Sequence, residues 1–240
     1  MIISNIKKYI RAEYVFVSCS VKFEDNTYPY KFPSELHFYT YKKYEDYITS
    51  DRYDGFLLGL LYPAIMANEK RIKVDGKISA RLFDNLKRII SVLKFSLQKE
   101  PNFKFVQPNI EVESVDSEPI HSKKINGTAM SGGVDSLFAF WEYFYKCKDP
   151  NFKVSKIFFF NVGSHGNMIY GTKKADDIFW LRFRSVESDI SAFELETVPL
   201  DSNLHTFHPW GHLRTEEITA ASAILMFQNI LSRYYFASAG

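Results

Sequence analysis

Cysteine is nearly absent: Cys19 and Cys147 are the two in 240 residues, far apart in sequence. That excludes a disulfide framework, a CxxC redox pair and a cysteine zinc site, and it suits a reducing, cytoplasmic setting. Long apolar runs are also missing. The best candidate, residues 56–66 (FLLGLLYPAIM), falls short of the roughly 18 residues a bilayer span needs and contains Pro63. At the N-terminus, MIISNIKKYIRAEY puts its charges after a few apolar residues, the reverse of a secretory signal. No sign of charge dominates, since 30 Lys and Arg stand against 28 Asp and Glu for a net +2. That balance disfavours an electrostatic nucleic-acid binder and, with the absence of a span, no membrane partner is expected. There is no internal repeat, no GK[ST] loop, no GxSxG elbow and no GxGxxG fingerprint.

Aromatics, by contrast, are abundant at 17% within an apolar content of 46%, which implies a heavily aromatic core. The two halves differ in pattern. In the first, residues 13–23 and 36–41 alternate as half-buried strands do, and 53–67 predicts a helix capped by Ser50 or Asp51. Asp75-Gly76 inside RIKVDGKIS predicts a hairpin turn, and Ser79 caps a helix with Leu82, Leu86, Ile89, Ile90, Leu93 and Leu97 at helical spacing. A strand over about 103–112 leads into the polar stretch VESVDSEPIHSKK. That stretch sets a boundary near residue 120, between an N-terminal α+β domain (1–120) and a second domain (121–240).

The second half alternates regularly. Strands are predicted at 125–130, 156–162, 195–200 and 234–238, with helices over 136–146, from a Thr172 cap to about 192, and over 215–232. This is the pattern of a doubly wound parallel α/β sheet. Right-handed crossovers imply the strand order 3-2-1-4, with a crevice between the first and fourth strands. The last strand ends close to Gly240, so the second domain is expected to lack part of its site.

The most specific motif is Ser131-Gly132-Gly133-Val134-Asp135-Ser136 (SGGVDS), between a predicted strand and a predicted helix. Two glycines let backbone N–H groups approach an anion closely, and the serines add hydroxyls. Asp135 would repel a bare phosphate, but it suits a Mg²⁺ ion bridging carboxylate and phosphate oxygens. The other reading is a Gly-Gly turn with Ser and Asp as helix caps.

All six positions resemble the SGGxDS signature of the PP-loop ATP pyrophosphatases, which include asparagine synthetase and 7-cyano-7-deazaguanine synthase. The resemblance covers about residues 123–240. It implies the HUP (adenine nucleotide alpha hydrolase-like) fold, ATP and Mg²⁺ as cofactors, pyrophosphate gripped by Ser131 to Ser136, and the metal on Asp135. It also implies adenine beside Asn161, Val162 and Gly163, and a phosphate or substrate contact from Arg214. The implied activity is an AMP-forming ligase or amidotransferase. Such an enzyme adenylates a carboxylate or amide-like oxygen of a small molecule, releases pyrophosphate and transfers nitrogen, from ammonia free or delivered by a partner protein. Two alternatives stay open: a tRNA- or nucleobase-modifying member of the superfamily, and an inactive nucleotide-binding or interaction protein.

The sequence departs from single families. No N-terminal cysteine nucleophile follows Met1, and no zinc cysteines are present. Of the remaining signals, His205, His208 and His212 cluster in a loop where Pro209 and Gly211 break any helix, which favours solvated or substrate-contacting histidines over a metal site. Lys173, Lys174, Glu187 and Asp189 read as helix surface. The aromatic N-terminal region offers a surface for a second copy or a partner. Within it, YTYKKYEDY (39–47) interleaves basic and aromatic residues as single-strand nucleic-acid binders do, although a plain strand-to-helix connection accounts for it better.

Overall fold

The computed structural model describes residues 1–25, 28–98, 103–117, 125–165 and 173–237. Nine strands form one mixed sheet. In chain order they are β1 (Ile2–Arg11), β2 (Tyr14–Lys22), β3 (Glu35–Tyr41), β4 (Arg71–Ser79), β5 (Asn109–Asp116), β6 (Ile125–Ala129), β7 (Lys156–Asn161), β8 (Glu196–Ser202) and β9 (Leu231–Tyr235). The helices are α1 (Asp54–Met66), α2 (Ala80–Leu97), α3 (Val134–Phe140), α4 (Lys173–Ser191) and α5 (Glu216–Leu225). Across the sheet the order is β5-β4-β1-β2-β3-β8-β7-β6-β9. Among the described residues no helix is long and apolar enough to cross a membrane.

The sheet is mixed, and partly parallel. β8, β7, β6 and β9 run parallel to their neighbours, whereas β3 joins β8 antiparallel through the pairs Phe38↔Ser202 and Tyr39↔Asp201. The strands of the first half thus continue the sheet of the second. One buried cluster also spans both halves, from Phe38 and Phe56 to Phe158 and Phe227. The physical reason lies at β8, which would otherwise be an open edge with unpaired N–H and C=O groups.

Helices cover both faces of the parallel strands. Phe158 packs toward Phe227 beyond α5, whereas Ile157 and Phe159 pack toward Ile190 and Phe179 of α4 on the other side. Two-sided burial explains why β7 reads as the continuous run KIFFFN. α1, buried from Asp54 to Ile65, lies against α5, where Ser222 Oγ donates to the Gly55 carbonyl at 2.7 Å.

Several local expectations change. Residues 71–79 form one strand and no hairpin; Asp75-Gly76 lies at a register irregularity between Val74 and Lys77, with the Tyr53 ring against Gly76. Neither Ser50 nor Asp51 caps α1, which begins after Tyr53 without a side-chain cap; Asp51 lies 3.4 Å from Lys77 Nζ instead. Ser79 does cap α2, accepting from the Leu82 N–H at 3.1 Å. Strand β5 begins six residues later than expected, at Asn109. α5 ends at Leu225, so β9 begins at Leu231 and the last strand is displaced toward the N-terminus. Beyond α3 the chain continues as a π-helical turn, Trp141–Lys146. Thr172 and Ser238 lie outside the described residues.

Candidate functional site

β6 carries the SGGVDS loop. Flanked by β7 and β9, it delivers the buried Met130 and then the loop to the carboxyl edge of the sheet. Gly132 adopts φ +81°, a left-handed conformation that a side chain resists, and Gly133 returns to extended backbone before α3 begins at Val134. The serines hold this shape. Ser131 Oγ accepts from the Gly133 N–H at 3.3 Å, and Ser136 Oγ donates to the Gly133 carbonyl at 2.8 Å. The two hydroxyls lie 3.2 Å apart, and Ser136 is buried. They therefore brace the loop internally, while the Gly132 surface stays open, with nothing within 4 Å of where a Cβ would stand.

The loop opens onto a cleft of about 670 Å³. Ser131, Gly132, Gly133, Asp135 and Ser136 line it together with Phe158 to Phe160 of β7, Tyr234 of β9, and Phe236 and Ala237 just past β9. Val134 is outside the lining, its side chain 81% exposed. Arg182 of α4 also lines the cleft. Its guanidinium donates to the Ser164 carbonyl and to His165 Nδ1, both at 3.3 Å. The buried His165 in turn places Nε2 3.2 Å from the Phe160 carbonyl. A carbonyl only accepts, so Nε2 carries the proton and Nδ1 is free to accept from Arg182. Burial, with the neighbouring Arg182 charge adding to it, pushes His165 down to about 4, so the ring is neutral when it holds the arginine.

The other expected site residues divide. Asn161 turns its side chain away, donating to Asp201 Oδ1 at 2.8 Å, and its carbonyl accepts from Ser202 Oγ at 2.9 Å. Val162 lines the cleft, and Gly163 lines a smaller adjoining pocket. Arg214 is exposed on the turn before α5 and does not line the cleft. Thr215 makes no side-chain cap for α5. Asp189, read as plain helix surface, does line the cleft. His205, His208 and His212 gather around the smaller pocket, and among the described residues no group of His, Cys, Asp or Glu is arranged to hold a metal ion.

Asp201 is the buried charge nearest these strand ends. It accepts from the Tyr39 hydroxyl, from Asn161, and from the Ser202 N–H at 2.7 Å. Burial nevertheless pushes its carboxyl up to about 6. Arg182, His165 and Asp201 carried no sequence signal, because a cation within a mixed-charge helix and single polar residues at strand ends have no diagnostic spacing.

No protein-family model, no curated protein and no solved structure matches this chain.

Proposed function

We propose that the protein is an ATP-dependent, AMP-forming ligase of the PP-loop type, which adenylates a carboxylate or amide-like oxygen with release of pyrophosphate and joins nitrogen to the activated carbon as AMP leaves. The observation that carries the reading is the SGGVDS loop itself, with its left-handed, unobstructed Gly132 facing a cleft at the carboxyl edge of a parallel sheet. Further support comes from the strand sequence β8-β7-β6-β9, which reads 3-2-1-4 within the second half and suits the HUP arrangement. Open α/β sheets bind ligands where the order reverses, and β6 and β9 lie at that reversal.

The donor set suits the cofactors. Loop N–H groups and Arg182 would hold phosphate oxygens, and Asp135 would supply the carboxylate that a Mg²⁺ ion prefers alongside phosphate. Val162 and the phenylalanines of β7 would line the base and ribose. In this reading the chain supplies positioning and charge neutralisation, and Mg²⁺ would draw charge from the phosphates as the bond to pyrophosphate breaks. The serine hydroxyls act through the loop's shape.

The test is a product assay with ATP, Mg²⁺ and a panel of small carboxylates plus ammonium. AMP and pyrophosphate should appear together, and Asp135→Asn should abolish them without altering the fold. Release of ADP and phosphate without AMP would exclude the mechanism.

A further inference from the structure

α3 and the π-helical turn that follows it carry two apolar faces. On one, Ser136, Ala139 and Phe140 are buried, and Phe140 stacks on Phe144 at 4.7 Å and meets the Phe193 ring edge-on at 5.2 Å. That face packs on Met130, Ile157 and Ile190. On the other, Val134, Leu137, Phe138, Trp141 and Tyr145 recur every three or four residues and so form one row. All five are between 48% and 81% exposed. Trp141 stacks on Tyr145 at 4.5 Å, so these two rings order each other before any partner arrives. A helix that is apolar all round is ordinarily buried, and a contiguous apolar patch of this size marks an interaction surface.

Area and charge together name the partner. An aromatic side chain offers about 150–250 Å², so the exposed parts of the five amount to about 600 Å². Interfaces are about 60% apolar, so a contact centred on this row would cover about 1,000 Å² per copy, enough for the roughly 800 Å² per partner of a stable complex. Along the edge of the row acid precedes base: Glu142 comes first and Lys146 four residues later, the two paired at 2.7 Å. A surface of one sign would meet a like charge at one of them. A second copy laid antiparallel sets acid beside base in both directions. We propose that the Val134–Tyr145 face pairs two copies of this chain about a twofold axis, helix against antiparallel helix. The pairing needs no nucleotide, so it stands or falls apart from the ligase reading.

The experiment is sedimentation velocity of the full chain over about 1–100 µM, the weak end of what an interface of this size supports. The mass should rise with concentration to that of a dimer. Phe138→Glu removes a central ring and should weaken pairing by at least about thirtyfold. Val92→Glu, at an exposed residue of α2, should leave the dimer intact. Glu142→Lys and Lys146→Glu each give the edge a single sign, so each should weaken self-pairing about tenfold at low salt, and mixing the two proteins should restore it. That mixing experiment stands alone should Phe138→Glu fold poorly. A monomer throughout the range, a dimer that Phe138→Glu leaves intact, or charge variants that do not pair when mixed would each overturn the proposal. So would a monomer that co-sediments with phosphatidylcholine vesicles, because the row would then meet a lipid surface. Failure of the ligase reading looks different: no AMP or pyrophosphate, with the dimer unchanged.

Discussion

Gly132→Ala separates the shape of the loop from its use. At φ +81° an alanine pays the left-handed penalty, about 1–2 kcal/mol, but meets no neighbouring atom within 4 Å. For a chain of this length the melting temperature should therefore fall by only about 2–8 °C. Gly127 offers the opposite case. It lies buried in β6, and a Cβ there would stand 2.5 Å from Phe158 Cε2 and 3.2 Å from Leu231 Cδ2. Overpacking of this kind costs about 1–3 kcal/mol, with no relief available from solvent. If the open Gly132 surface is where phosphate oxygens approach the backbone, a methyl group there should weaken ATP·Mg²⁺ binding by at least about tenfold, or 1.4 kcal/mol. Calorimetric titration with a non-hydrolysable ATP analogue and Mg²⁺, beside urea unfolding of both variants, reads the two effects. A Gly132→Ala protein that binds the analogue like the wild type would refute the loop's role as a phosphate cradle.

The remaining predictions concern two side chains that the sequence did not single out. Arg182→Gln should weaken binding of the same analogue about tenfold, in a salt-dependent manner, while its urea midpoint stays put because the guanidinium is exposed; unchanged affinity would take Arg182 out of the phosphate path. Asp201 holds its proton to about pH 6 when folded but only to about 3.8 otherwise, so the folded chain binds the extra proton between those values and its stability falls as pH rises through them. Two pH units correspond to about 3 kcal/mol, so the stability gap between wild type and Asp201→Asn should move by that amount against the wild type between pH 4 and 7.5, and a gap independent of pH would show the carboxylate ionised throughout.

The parallel strands were legible because burial on both faces removes alternation and leaves runs such as KIFFFN, bounded by polar turns. The SGGVDS loop was legible because its glycines and its place between strand and helix are local facts. β1 was not, since Lys7, Lys8 and Arg11 are exposed on it and break the apolar pattern. The Asp75-Gly76 pair misled for a tertiary reason: glycine is there to accept the Tyr53 ring, which comes from α1's start far along the chain. The end of α5 was overrun because Met226, Phe227 and Ile230 are buried in turns, where apolar spacing imitates a helix. Around the cleft, Arg182 and His165 become meaningful only once α4 is laid across the end of β7. The continuity of the sheet across residue 120 could not be read from a polar boundary, because edge pairing depends on backbone groups that every residue has.

That continuity also bears on what the first half does. β3 closes the open edge of β8, and the closure extends past the strand into the loop that follows it. Asn203 accepts from the His37 N–H at 2.8 Å and donates to the Glu35 carbonyl at 2.8 Å. Tyr30 donates to the Thr206 carbonyl, and the Gly59 carbonyl of α1 fixes the tautomer of His208. Each of these contacts runs from residues before 60 to the loop at 203–208, and together they shape the histidine pocket. The SGGVDS loop, by contrast, is held by its own serines and by strands of the second half. A division of labour follows from the geometry: the parallel strands present the loop and its cleft, and the N-terminal strands, with α1, set the walls of the pocket beside it and the tautomer of His208. Changes in the first half should therefore alter the shape of the histidine pocket before they alter the SGGVDS cleft.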